Sequence, residues 1–172
     1  MKKSQEKTNV MRILDQKKIP YKSHSYANTG VISGLEVAAI LNQNPNQVFK
    51  TLVTSGSSKT NYVFLVPVTK ELDLKKAASS VNEKSITMLK SKDLLPLTGY
   101  IHGGCSPIGM KKQFQTTIDT TALTFQTILF SAGKIGYQVE LTLPDLKKAL
   151  NFTLNDITYP PIPYPSPLRN TP

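Results

Sequence analysis

A chain of 172 residues has the length of one domain, and 39% hydrophobic against 19% charged residues excludes global disorder. Lysine plus arginine number 21 against 11 acidic residues, a formal net charge of +10, which favours an anionic partner such as nucleic acid over a purely solubilising role. Only Arg12 and Arg169 are arginines. Lysine attracts phosphate as a point charge, whereas arginine reads bases with a planar fork, so the balance suits backbone attraction more than base reading.

The elements read as follows in chain order. Met1 to Lys7 carries charge with no apolar run behind it, which is not a secretory signal. No apolar stretch reaches the roughly 20 residues that span a bilayer. With Cys105 as the single cysteine, no intramolecular disulfide can form, and a soluble protein of the reducing cytoplasm is expected. Val10, Met11, Ile13 and Leu14 recur at helical spacing behind Thr8 or Asn9 as N-cap, and Pro20 stops that helix. Tyr21 to Tyr26 alternates as a strand. Ser33-Gly-Leu-Glu36 is a capping-box pattern opening a helix to about Leu41. Val48 to Thr54 and Tyr62 to Val68 flank a polar turn and predict a β-hairpin. Leu72 to Ser80 reads as a helix, Ser85 to Met88 as a strand and Lys90 to Leu95 as a short helix. Thr98 to Gly109 holds four glycines and a proline, too broken for a regular element and too apolar for an idle loop. Strands follow at Thr116 to Asp119, Thr127 to Ala132 and Tyr137 to Leu141. A helix at Pro144 to Leu150 has proline in its first turn. Residues 159–172 form a proline-rich, extended tail. This interleaving predicts a single α/β domain, a mixed sheet with helices packed outside.

The usual catalytic sets are poorly represented. Two histidines and one cysteine make no metal pattern, and no Walker or dinucleotide fingerprint is present. No metal or cofactor is expected. His102 and Cys105 invite a dyad reading, but a lone cysteine among glycines is more often a packing residue. His24 reads as structural. Lys50 stands out in Val48-Phe-Lys-Thr-Leu52, a cation inside an apolar strand. Periodicity alone leaves two readings open, an edge charge and a pocket cation, with the edge charge the simpler. N–H groups around Gly103 and Gly104 offer a carbonyl or oxyanion site, which strengthens the pocket reading.

Five stretches, in this order, carry a resemblance. They are Val48-Phe-Lys-Thr-Leu52, Pro67 to Lys76, Thr98 to Gly109, Ser131-Ala-Gly-Lys-Ile-Gly136 and Gln138-Val-Glu-Leu141. Each is weak singly; together, over roughly Thr8 to Ile157, the chain resembles the YbaK/EbsC family of tRNA-editing deacylases, related to the inserted editing domain of prolyl-tRNA synthetases. The resemblance implies a mixed, mostly antiparallel, barrel-like sheet surrounded by helices, with an editing domain over 1–158 and the tail at 159–172. It implies removal of cysteine from Cys-tRNA(Pro), and also from Cys-tRNA(Cys), by attack of the cysteinyl thiol on its own ester. Lys50 is then the key catalytic residue. Tyr26, Thr51, the Gly103-Gly104-Cys105-Ser106-Pro107 loop, Gly133, Gly136 and Gln138 bind substrate. Some members carry aspartate where Gln138 stands. The implied partners are the acceptor end of aminoacylated tRNA and prolyl-tRNA synthetase. Two other readings stay open: an Ala-tRNA(Pro) deacylase of the same fold, and a non-catalytic RNA-binding or regulatory protein.

Overall fold

The structure, a computed structural model, describes residues 6–160, so all of the expected tail except Tyr159 and Pro160 lies outside the described residues. Helix α1 spans Asn9–Gln16; the Thr8 hydroxyl accepts from the Met11 N–H, and Val10, Met11 and Leu14 turn inward. Strand β1, Lys22–Ser25, leads to α2, Gly34–Ile40, which Ser33 caps by accepting from the Glu36 N–H at 3.3 Å. Each cap satisfies one of the N–H groups that a helix start leaves without a partner.

The predicted hairpin forms as β2, Phe49–Gly56, and β3, Asn61–Pro67, with Lys50 opposite Val66. Then come α3 (Leu74–Ser80, capped by Asp73), β4 (Ile86–Met88) and α4 (Ser91–Thr98). After the glycine-rich loop follow β5 (Gln115–Asp119), β6 (Ile128–Ser131), β7 (Tyr137–Leu141), α5 (Leu143–Ala149) and β8 (Thr153–Asn155). Helix α4 runs past its predicted end and carries Pro96 inside. The proline removes the N–H that would meet the carbonyl of Lys92, an exposed residue; beyond it the Thr98 hydroxyl bonds the Leu94 carbonyl at 2.7 Å and the Gly99 N–H bonds that of Leu95. Gly99 closes the helix at φ 85°, a left-handed conformation that glycine adopts freely. Strand β8 was not expected; three residues are too few to show alternation.

The strands make two sheets, ordered β4-β2-β3-β5-β8 and β1-β7-β6. The β3–β5 and β5–β8 pairs are parallel and the other four pairs antiparallel, so the sheet is mixed and mostly antiparallel. The expected fold holds, with one refinement of its barrel-like sheet. Among the described residues, the two sheets meet at a single bridge, Val48–Leu129, and do not close into a full barrel.

The core follows from period two in β3, which is buried on both faces. Val63 and Leu65 join Phe49, Ile118, Phe130, Val139, Leu14 and Leu146 between the sheets, α1 and α5. Tyr62, Phe64 and Val66 face the other way, onto Ala77 and Ala78 of α3. Each fully buried large side chain, such as Phe64 or Phe130, contributes ~1.5–3 kcal/mol.

Candidate active site

The failure to close creates the site. One side of β2 is covered by β3, but β4 reaches only Thr54 to Gly56 on the other side. Between the Val48–Leu129 bridge and a Leu89 N–H to Val53 carbonyl bond at 3.1 Å, the outer edge of β2 at Thr51 has no strand beside it. An antiparallel ladder turns alternate residues' backbone groups to opposite sides. Thr51 shares its phase with Val53, so its N–H and carbonyl face this open edge. A cleft of ≈ 880 Å³ fills the gap.

Lys50, Thr51, Tyr26, Gly103, Cys105 and Gln138 all line the cleft, drawn from four separate segments of chain. Lys50 is both things that periodicity left open: it stands at a locally bare strand edge, and that edge is the floor of a pocket. Its ammonium lies 3.3 Å from Glu71, with the lysine side chain 29% exposed and the glutamate 79%. So open a pair is worth ~0–1 kcal/mol, and an anionic ligand can displace the glutamate. Sequence reasoning missed Glu71 as a neighbour of Lys50. The hairpin register was the available signal: with Lys50 opposite Val66, the residues just beyond β3 return to the start of β2.

The Thr51 hydroxyl is buried and has no hydrogen-bond partner among the described residues. Such a group costs roughly 1–3 kcal/mol, and in a cleft wall it marks a place for a ligand atom. Gln138 is 4% exposed, and its carbonyl accepts from the Gln43 side-chain amide at 2.8 Å. Tyr26 is fixed through its backbone: its N–H donates to the Gly136 carbonyl at 2.7 Å, and the Thr29 hydroxyl donates to the Tyr26 carbonyl.

The glycine-rich loop divides its labour. Gly103 has φ 86°, and a Cβ there would sit 2.7 Å from the Ile32 side chain. The Gly104 N–H, expected to face a ligand, is consumed inside the loop by the Ile101 carbonyl at 3.0 Å. The N–H groups of Gly103 and Cys105 donate to no described residue, so the donors left available flank Gly104. Gly104, Ser106, Pro107, Gly133 and Gly136 do not line the cleft. Ser106 is buried, and its hydroxyl accepts from the Ile108 N–H. Gly133, at φ 87°, lies against the Tyr100 ring, and Gly136 against the Ala27 backbone. Tyr100 is the strut behind the loop: its hydroxyl donates to the Ile108 carbonyl at 2.5 Å.

The thiol in the cleft is not poised as a nucleophile. Burial pushes the Cys105 thiol up to about 12, so it stays protonated at neutral pH. His24 lies elsewhere, 2.8 Å from Glu140. Burial raises the Glu140 pKa, but hydrogen bonds from Thr127 and His24 outweigh it and hold the carboxyl below its usual range. His102 does line the cleft. Among the described residues, no three His, Cys, Asp or Glu side chains gather as metal ligands, and no helix is long and apolar enough to cross a membrane.

The sequence model of the aminoacyl-tRNA editing domain matches residues 33–149, from the cap of α2 to the end of α5. The chain belongs to this family. It is 44% identical over 158 residues to EbsC of Enterococcus faecalis, a protein named for Cys-tRNA(Pro)/Cys-tRNA(Cys) deacylation, covering 91% of this chain and 96% of that one. The editing fold also matches solved structures. One, described as a trans-editing enzyme for prolyl-tRNA synthetase, has a TM-score of 0.78 at 21% identity, covering 90% of this chain and all of the other. Another, the hypothetical protein APE2540, has a TM-score of 0.81 at 17% identity, covering 88% of this chain and all of the other. At these identities the structures speak for the fold alone.

Proposed function

We propose that this protein is an aminoacyl-tRNA deacylase that removes cysteine from Cys-tRNA(Pro), and from Cys-tRNA(Cys), in the cytoplasm. One observation carries the chemical reading: a cation, free backbone donors and an unpartnered hydroxyl surround a cleft whose only thiol is held neutral. Such a site can position an ester and stabilise charge, and its one thiol is not an activated attacking group. The substrate's own thiol fills that gap. Its sulfur bonds the ester carbonyl carbon, the carbon–oxygen bond to the terminal ribose breaks, and the thiol proton ends on the ribose oxygen.

Positioning and electrostatic stabilisation then do the catalysis. Gly103 and Cys105 N–H groups receive the developing oxyanion. Lys50 exchanges Glu71 for the terminal phosphate or the leaving oxygen. Thr51 bonds the aminoacyl group, and Tyr26 and Gln138 wall it. Gly104, Ser106, Pro107, Gly133 and Gly136 shape the loop and wall from behind. The working domain is 1–158, with 159–172 as an appended tail, and prolyl-tRNA synthetase, the source of the mischarged substrate, is the partner alongside which it acts. The similarity to EbsC favours cysteine over alanine as the amino acid removed.

Lys50→Ala tests the assignment. Following loss of the labelled aminoacyl ester from Cys-tRNA(Pro), kcat/KM should fall by about 10²–10³, the usual cost of removing one electrostatic stabiliser. Wild-type rates in a folded Lys50→Ala protein would refute the role of Lys50. No hydrolysis by the wild type would favour the non-catalytic reading.

A further inference from the structure

Two parts of the cleft lining differ in charge. The wall built from 26–41, which includes α2, contains no lysine or arginine and one acid, Glu36. Another part of the lining comes from the segment 84–112, which holds β4, α4 and the glycine-rich loop. It carries five lysines, Lys84, Lys90, Lys92, Lys111 and Lys112, against one acid, Asp93. All five are exposed, and none forms a salt bridge among the described residues.

Their placement is tied to the cleft. Met88, Leu89, Ser91 and Leu94 line it, so α4 is its rim. Lys90 and Lys92 sit at the start of that helix. Lys111 is held at its end, where its N–H donates to the Thr98 carbonyl and its ammonium reaches the Pro96 carbonyl at 3.4 Å. A cation at a helix C-terminus suits the helix dipole, which accounts for Lys111 locally. Lys90 has no such account. It is the N-cap of α4, it offers no side-chain acceptor to the first turn, and it places positive charge at the positive end of the dipole. Asp93 offsets this in part. An anion lying over Lys90 and the first-turn N–H groups would remove the conflict.

We infer that the α4 face, with Lys90, Lys92 and Lys111 at its centre, is where the phosphate backbone of the RNA crosses the protein as its acceptor end enters the cleft. The inference rests on the deacylase reading for the identity of the RNA. Lysines rather than arginines fit backbone contact without base reading. The exposed apolar side chains of Met88 (46%) and Leu95 (50%), interleaved with the cations, suit sugar and base faces near the strand end.

The test uses two variants of equal net charge. Lys90→Gln/Lys92→Gln/Lys111→Gln removes charge from the proposed face. Lys17→Gln/Lys18→Gln/Lys22→Gln removes the same charge from the end of α1 and β1. Binding of uncharged tRNA is measured by filter retention across a salt series. The α4 variant should bind about tenfold more weakly or worse at low salt, with the slope of log K against log salt reduced by roughly 2–3; the control should stay within about twofold. Equal weakening of both variants, or wild-type binding by the α4 variant, would overturn the surface. Because uncharged tRNA is the probe, a wild type that binds it but cleaves no ester would count against the deacylase reading and leave this surface standing.

Discussion

At the scale of single residues, the least obvious feature is Thr51. Its neighbour Lys50 stands out in any reading of the sequence as a cation in an apolar strand. Thr51 does not, because threonine is ordinary in strands. Its importance comes from two facts of pairing: the strand edge beside it is bare, and its hydroxyl is buried without a partner. These facts set stability against function. Thr51→Val keeps the side-chain shape and removes the unpaired hydroxyl. Urea denaturation should show equal or greater stability, by up to roughly 1 kcal/mol. The kcat/KM on Cys-tRNA(Pro) should fall about tenfold, the value of one hydrogen bond made to substrate. Unchanged kinetics would remove Thr51 from the site. Gly104 teaches the complementary lesson. The sequence shows that two adjacent glycines make a loop near substrate, but which N–H is free depends on a turn back to Ile101 that spacing does not reveal.

At the scale of elements, caps and turns were the most legible. Thr8 and Ser33 cap helices where the residue types indicated, because capping is local chemistry. The turn at 55–60 was also legible, but what fastens it was not. Glu83, more than twenty residues on, accepts from the Ser57 and Ser58 hydroxyls, the Ser58 N–H and the Tyr62 hydroxyl. Gly56 leaves it room, since a Cβ there would lie 2.5 Å from the Glu83 carboxyl carbon. The Ser58 and Tyr62 hydrogen bonds, partly opposed by burial, lower the Glu83 pKa from 4.5 to about 2. A folded-state pKa below the unfolded one stabilises fully above the unfolded value and is lost as pH falls through the folded value. The stability gap between wild type and Glu83→Gln should therefore be complete above about pH 5. It should shrink between pH 4.5 and about 2 in denaturant titrations. A gap that stays constant to pH 2 would show that the turn is fastened by something other than this charge.

At the scale of the molecule, the architecture leaves a cleft where the two sheets do not close. The mixed sheet, its surrounding helices and the order of elements were readable from periodicity and turn residues. The gap between the sheets was not, because it depends on β4 pairing with only three residues of β2 and on the single Val48–Leu129 bridge. Both are long-range pairings that leave no local pattern. Strand β8 was missed for a similar reason, since it exists by parallel pairing with β5. The chemistry follows the same division. The scarcity of histidine and cysteine was visible in the sequence, but the neutrality of Cys105 required its burial.

In the proposed mechanism the substrate attacks itself inside a cleft that only positions it. Replacing the substrate sulfur by oxygen tests this most directly, because a hydroxyl of the same reach is a far weaker nucleophile near neutral pH. Initial rates on Cys-tRNA(Pro) and Ser-tRNA(Pro) should be compared under single-turnover conditions. The account predicts rapid loss of cysteine, with serine removed at least about a hundredfold more slowly. Comparable rates on both would contradict it and point to an attacking group supplied by the protein or by water.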